Sequence, residues 1–330
     1  MKLFDCTLRD GGNVLGNGFT KELTVMMFEG LLANSITLIE FGNAYGIGAY
    51  EADKKTAPLT DEEYLELAQP FLSRGEIGMF VGVKNATEKN VALAASKGMK
   101  FLRIGANAGD GDSAKDAIAL VRKYNMVPRF ALMKGYIIPA KELAEEAKKL
   151  ADWGLGAVSI MDSAGTMTPD QTKEYVEALV KAVSIPVSFH GHNNLGLSVA
   201  NAFAAEQSGV QELDCGLMGM ARSAGNLATE MAVGVFQQKQ KLKEINFLGL
   251  LDFIDNKLAP AMAKYDYRAA ITPEDLILGL AGCHSNFLDL FKEIAKAENV
   301  NLYQLIINVS KENRKAPSRE EILKAAKAMV

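Results

Sequence analysis

Two of the three histidines in this chain, His190 and His192, lie two residues apart in Ser188-Phe189-His190-Gly191-His192-Asn193-Asn194. The residues before them, Ile185-Pro186-Val187-Ser188-Phe189, are apolar and β-prone, so both imidazoles fall at the C-terminal end of a strand. Side chains at i and i+2 of a strand leave on one face. Two imidazoles aimed into one space are what a divalent metal site requires. A hydrogen-bonded histidine pair is the plainer alternative, and the scarcity of histidine elsewhere favours ligation. A second reactive run stands near the N-terminus, Thr7-Leu8-Arg9-Asp10-Gly11-Gly12-Asn13. Asp10 is a hard oxygen donor able to complete a two-histidine, one-carboxylate site with positions left open for substrate. Arg9 keeps its proton and offers a planar fork suited to a carboxylate or an enolate oxygen. Taken alone, the Arg-Asp pair would be a surface turn.

The elements that must position these residues read as short β-prone runs alternating with amphipathic helices. Strands are expected near 2–7, 35–42, 77–83, 101–105, 127–133, 157–162, 186–190 and 212–217. Helical segments include Thr60 to Leu72, Ala114 to Tyr124, Pro139 to Trp153 and Pro169 to Val183, the last opened by Thr168 as cap with proline after it. Eight βα units in about 240 residues is the count of a (β/α)₈ TIM barrel. A doubly wound open sheet gives the same alternation, and counting favours the barrel. Arg9 and Asp10 then stand after strand one and the histidines after strand seven, at the face where barrel active sites lie. After Lys241 the pattern changes, and only helical periodicity remains. Ser318-Arg319-Glu320-Glu321 reads as a capping box and Thr272-Pro273-Glu274-Asp275 as a weaker one. The expected organisation is a barrel over 1–246 with a helical C-terminal extension over 247–330 packed on it.

Composition narrows the function. Of 330 residues 48% are hydrophobic and the net charge is −4, which describes a globular protein with a large core. No lysine- or arginine-rich stripe is present, which argues against nucleic acid as ligand. No apolar stretch reaches the roughly 18 residues of a membrane helix, and the N-terminus does not have the pattern of a signal peptide. Cys6, Cys215 and Cys283 are too scattered for a disulfide framework or a thiolate zinc site, and fit a reducing cytoplasm. Any metal here is expected to take oxygen and imidazole donors.

Three segments carry a resemblance. Asp5-Cys6-Thr7-Leu8-Arg9-Asp10-Gly11, His190-Gly191-His192-Asn193 and Gly225-Asn226-Leu227-Ala228-Thr229-Glu230 are similar, in order, to the signature segments of the DRE-TIM, or HMGL-like, metallolyases. Within that superfamily the sequence most resembles the 4-hydroxy-2-oxovalerate aldolases. The likeness continues through Asn193 to Asn201, Ile138 to Ala144, Met161 to Gly165, and Leu278 to Phe287 in the helical extension. It implies that Asp10, His190 and His192 ligate Mn²⁺ or Mg²⁺. It implies also that Arg9 binds pyruvate and its enolate, that Asn226 is a ligand or a close neighbour of the ligands, and that Ser163 touches the substrate carboxylate or oxo group. The activity implied is cleavage of a 4-hydroxy-2-oxo acid to pyruvate and an aldehyde. An aldehyde dehydrogenase partner, or a homo-oligomer, is implied as company. An acyl-CoA lyase or an acetyl-CoA-dependent condensing enzyme is the alternative within the superfamily, and a non-catalytic metal-binding barrel the alternative outside enzymes.

The sequence departs from the aldolase pattern at three places. Asn13 stands where those enzymes carry a histidine base, and it cannot accept a proton at neutral pH; it is left as a substrate contact. His284 stands where they carry a tyrosine in the C-terminal domain, and it is either the relocated base or an ordinary helix histidine. A relocated histidine base predicts a rate rising with pH through roughly 6 to 7. The stretch Gly42 to Gly48 also replaces a histidine-bearing loop. Lys134, after strand five, offers a Schiff-base route instead, or is a solvated rim lysine, and Lys84 is a weaker form of the same idea. Glu40 points inward from strand two, either supporting the site or in a core ion pair.

Overall fold

The computed structural model describes residues 1–267 and 273–329. Its eight strands are β1 Lys2–Asp5, β2 Leu38–Phe41, β3 Glu76–Gly82, β4 Phe101–Asn107, β5 Val127–Met133, β6 Ala157–Asp162, β7 Val187–Gly191 and β8 Glu212–Cys215. Each pairs in parallel with the next, and β8 returns to β1, so the sheet is a closed barrel and not the open alternative. Parallel strands covered on both faces read as near-continuous apolar runs, which is why all eight were visible in the sequence.

Period-2 alternation divides each strand between the helix-facing core and the barrel interior. The helix-facing set is apolar and forms one large cluster with the surrounding helices, including Ile39, Phe41, Ile77, Leu102, Ile104, Phe130 and Leu213. The interior is not the aliphatic filling common to this architecture. Phe4, Leu38 and Phe101 close its lower end. Above them the same alternation places Glu40, Arg103 and Asp214, all fully or nearly fully buried. Phe80 lies across the upper end, and only glycine fits opposite it: a Cβ on Gly105 would stand 2.1 Å from the Phe80 ring.

Helices form where their end signals stand. Thr60, Thr168 and Ser318 cap Asp61–Ala68, Pro169–Ala182 and Arg319–Lys327 through complete capping boxes. The weaker signal at Thr272 lies outside the described residues, although the helix after it, Pro273–Ala281, is present. The helical extension divides between two cores. Leu250, Phe253, Ile254, Leu258 and Met262 join the barrel cluster, whereas Leu278, Phe291, Ile294, Leu305, Ile306, Val309 and Ile322 form a core of their own. That second unit sits over the C-terminal ends of the strands. Asn194 donates to the Asp275 carbonyl at 2.9 Å, and Lys315 pairs with Asp110 at 2.7 Å. Among the described residues no helix is long and apolar enough to cross a membrane.

Candidate active site

The loop after β1 turns immediately into a 3₁₀ helix, Asp10–Leu15, which holds Asp10 at the mouth of the barrel. There Asp10 Oδ2 lies 3.6 Å from His190 Nε2 and 3.9 Å from His192 Nε2. The ligand atoms of these three buried residues all fall within 4.8 Å of one another. His192 is fixed by a bridge to Asn226 and by the loop after β6. Gly165, at φ +59°, permits that packing, since a Cβ there would stand 2.8 Å from the His192 carbonyl oxygen.

Charge on the cluster suits a cation. Burial alone would raise the Asp10 carboxyl, but Arg9, His192, His190 and Arg222 outweigh it and hold it well below the usual range. Burial pushes His192 down to about 3, against the pull of Asp10, so its imidazole is neutral. His190 Nδ1 lies 3.1 Å from Asp214 Oδ2. A proton on Nδ1 donated to that carboxylate leaves the Nε2 lone pair free for a ligand, the usual arrangement of a metal-binding histidine. Asn226 Nδ2 donates to Asp10 Oδ2 at 2.8 Å, and its buried Oδ1 has no hydrogen-bond partner. A buried acceptor without a partner is costly, and a cation would satisfy it. Cys6, His190 and Asp214 form a second possible ligand group. That group is committed elsewhere: Asp214 is bound by Arg103, and burial pushes the Cys6 thiol well above its ordinary range.

Arg9 is oriented from both sides. Its Nε donates to Glu40 at 2.6 Å, its Nη1 meets Asp10 at 3.1 Å, and the guanidinium lies 5.0 Å over the Phe80 ring. Nη2 is buried without a partner. Glu40 fills both roles open to it, since its carboxylate also takes Nε and Nη2 of Arg103, each at 2.7 Å. Arg103 reaches Asp214 with its remaining nitrogen. One buried chain of charges thus runs Arg9, Glu40, Arg103, Asp214, His190. Arg103 and Asp214 were not singled out in the sequence, although an arginine inside Phe101-Leu102-Arg103-Ile104 was the available signal.

A cavity of ≈ 460 Å³ opens on this cluster, lined among others by Arg9, Asp10, Phe80, Ser163, His190, His192 and His284. Ser163 Oγ accepts from the Lys134 N–H at 3.0 Å. Asn13 does not line this cavity. Its Nδ2 donates to Asp10 Oδ1 at 3.2 Å and its Oδ1 accepts from Arg222 Nη2 at 2.8 Å. Arg222, also missed in the sequence, donates onward to Asn286 Oδ1. Asn13 and His284 are therefore joined through Arg222 and Asn286.

His284 enters the cavity from the second helical unit, ahead of the 3₁₀ turn Ser285–Phe287. Its Nδ1 accepts from the Asn286 N–H at 3.1 Å. In the neutral ring that places the proton on Nε2, so the resting tautomer donates toward the cavity. Burial, then Arg222, His192 and Lys134, push this imidazole well below the ordinary histidine range. A histidine base at this position would titrate below the roughly 6 to 7 of an unperturbed imidazole.

Lys134 is not a solvated rim lysine. It is 9% exposed, its ammonium donates to the Lys315 carbonyl, and burial lowers it to about 8. It faces the helical extension and does not line the metal cavity, which removes the geometry a Schiff base needs. Lys84 lines the cavity but is exposed and paired with Asp53 at 2.5 Å.

The HMGL-like family model matches residues 1–255. A 4-hydroxy-2-oxovalerate aldolase of Desulfitobacterium hafniense is 32% identical over 90% of this chain and 88% of its own. One from Carboxydothermus hydrogenoformans is 30% identical over 94% and 92%. Among solved structures, the carboxyl transferase domain of Rhizobium etli pyruvate carboxylase superposes with a TM-score of 0.78 at 15% identity, covering 100% of this chain and 61% of that one. At that identity the likeness speaks to the fold alone.

Proposed function

This chain belongs to the HMGL-like family, and from that premise we propose that it is a divalent-metal-dependent aldolase cleaving a 4-hydroxy-2-oxo acid to pyruvate and an aldehyde. The observation that carries the reading is the Asp10, His190, His192 cluster with two orphaned buried groups beside it, Asn226 Oδ1 and Arg9 Nη2. Mn²⁺ or Mg²⁺ held by Asp10, His190 and His192, with Asn226 as a further donor, would supply Lewis acidity toward the 2-oxo acid. The names of the relatives favour aldol cleavage over acyl-CoA lysis or condensation. The orphaned donor on Arg9 and the imidazole in the same cavity speak for a catalytic barrel over a binding-only one.

Arg9 and Ser163 bind the 2-oxo carboxylate end. His284 meets the 4-oxygen. To take the 4-hydroxyl proton its Nε2 must carry the lone pair, which means giving up the Asn286 hydrogen bond, at a cost of about 1 kcal/mol. That is a population effect of roughly fivefold, small against a catalytic base. As the proton leaves, the C4–O bond becomes a carbonyl, the C3–C4 pair moves into the enolate, and Arg9 Nη2 donates to the growing oxyanion. Asn13 holds Asp10 and Arg222 in place. We place the enzyme in a reducing cytoplasm, in keeping with its three free cysteines, with a homo-oligomer or an aldehyde dehydrogenase as company.

Exchange of pyruvate methyl protons in D₂O, followed by NMR with Mg²⁺, tests the reading whatever the aldehyde. His192→Ala is expected to abolish metal binding and exchange with the fold retained. Full metal content and near-normal exchange in that variant would end the proposal. Feeding acetyl-CoA with 2-oxo acids in parallel checks the alternative chemistry.

A further inference from the structure

The cavity carries positive charge that the chemistry above does not use. Lys55 Nζ lies 4.6 Å from the centroid of the Tyr45 ring, and the Arg222 guanidinium lies 5.2 Å from the same centroid. All three residues line the metal cavity. Its charged lining is four cations, Arg9, Lys55, Lys84 and Arg222, against two carboxylates, Asp10 and Asp53. Asp10 is paired with Arg9, and Asp53 with Lys84. The excess is therefore Lys55 and Arg222, and among the described residues neither has a carboxylate at ion-pair distance. This concentration stands in a chain whose net charge is −4. Tyr45, Lys55 and Arg222 also line a second cavity, where the carboxylates are Asp275 and Asp289. Cations converging on a partly enclosed cavity raise the local concentration of anions and select for them.

The 2-oxo carboxylate end of the substrate is already provided for by Arg9 and the metal cluster. A further pair of uncompensated cations in the same cavity addresses the other end. We propose that Lys55 and Arg222 form an anion subsite for the aldehyde half of the substrate, which carries a carboxylate or a phosphate. The proposal rests on the aldolase reading and narrows its substrate class. Position supports it: the Lys55 main chain is anchored by the Asn43 side chain at 2.6 Å, and Arg222 is held at Asn13 and Asn286, so both cations are presented from fixed points.

The test uses the Mg²⁺-loaded full chain and matched aldehydes in the aldol direction with pyruvate. Succinic semialdehyde is compared with its methyl ester, and glyceraldehyde 3-phosphate with glyceraldehyde. The charged member of one pair should show kcat/KM higher by at least ~10-fold, the scale of a charge-assisted contact. The pair that responds distinguishes carboxylate from phosphate. Lys55→Met should bring that ratio towards one while leaving the neutral aldehyde and pyruvate methyl exchange unchanged, and Lys55→Arg should restore the preference. Equal rates within both pairs, or a preference that survives Lys55→Met, overturn the subsite. Calorimetric titration with succinate or inorganic phosphate reads the subsite without turnover. Binding lost in Lys55→Met supports it even if methyl exchange is absent and the aldolase reading falls. No binding in the unaltered chain overturns it even if exchange is present.

Discussion

At the scale of single residues, the site depends on which nitrogen has no partner. Arg9 spends Nε on Glu40 and Nη1 on Asp10, which leaves buried Nη2 without a partner, the donor we assign to the substrate. Lysine keeps the charge but cannot serve three directions from a planar fork. Arg9→Lys should therefore lower kcat at least ~10²-fold, as for loss of a preorganised oxyanion donor. An unchanged kcat with a raised KM would assign Arg9 to ground-state binding. For His284 the sign of the pH effect follows from its surroundings. A base works only when unprotonated, so the rate rises with pH through its pKa. Burial and the neighbouring Arg222 lower that pKa, so the active form persists into acid. Cleavage should be flat across roughly pH 6 to 7, where an unperturbed histidine would titrate, and fall only below it. His284→Ala should suppress cleavage more than methyl exchange and remove the acid limb; a variant that keeps both cleavage and limb assigns the proton to another group. The sequence made His190, His192 and His284 legible because histidine is scarce and reactive, and Asp10 because it follows the first strand beside Arg9. It could not show the tautomer of His284, which is set by a main-chain N–H two residues away.

At the scale of elements, the strand pattern was legible and the contents of the barrel were not. Apolar runs announce a buried parallel strand whatever stands on the inward face. The inward charges find each other only after closure: Glu40 of β2 meets Arg103 of β4, and Arg103 meets Asp214 of β8, 111 residues further on. These strands hold the site by charge as much as by packing. Breaking a fully buried ion network by removing one member typically costs roughly 3–5 kcal/mol, because the remaining charges stay buried without compensation. Arg103→Met leaves buried Glu40 with Arg9 alone and buried Asp214 with His190 alone, and a thermal melt should show a large loss of stability. Asp214→Asn is milder, as it retains a polar group beside His190. Its expected effect is on metal affinity, a loss of about 10- to 100-fold, since the proton on His190 Nδ1 loses the carboxylate that orients it. A metal titration with unchanged affinity would show that Asp214 serves the barrel alone.

At the scale of the whole molecule, the cavity proposed as the active site is lined from two cores. The barrel supplies Asp10, His190, His192 and Arg9, while His284 arrives from the helical unit packed around Phe291, Leu305 and Ile322. The two are joined by Asn194 to the Asp275 carbonyl, by Lys134 to the Lys315 carbonyl, and by Arg222 to Asn286. Each of these barrel residues stands in a loop that follows a strand, β7 for Asn194, β5 for Lys134 and β8 for Arg222. Helices Phe247–Phe253 and Ala259–Ala263 stay with the barrel core, so a chain ending at Tyr267 retains that core as it stands among the described residues. Such a chain should keep its far-ultraviolet circular dichroism per residue and bind Mn²⁺ through Asp10, His190 and His192. It should also continue to exchange pyruvate methyl protons, though more slowly because water now enters the cavity. Aldol cleavage should be lost, since no imidazole reaches the 4-oxygen. Retained cleavage in the shortened chain, with the metal still bound, would show that the helical unit covers the site without taking part in its chemistry.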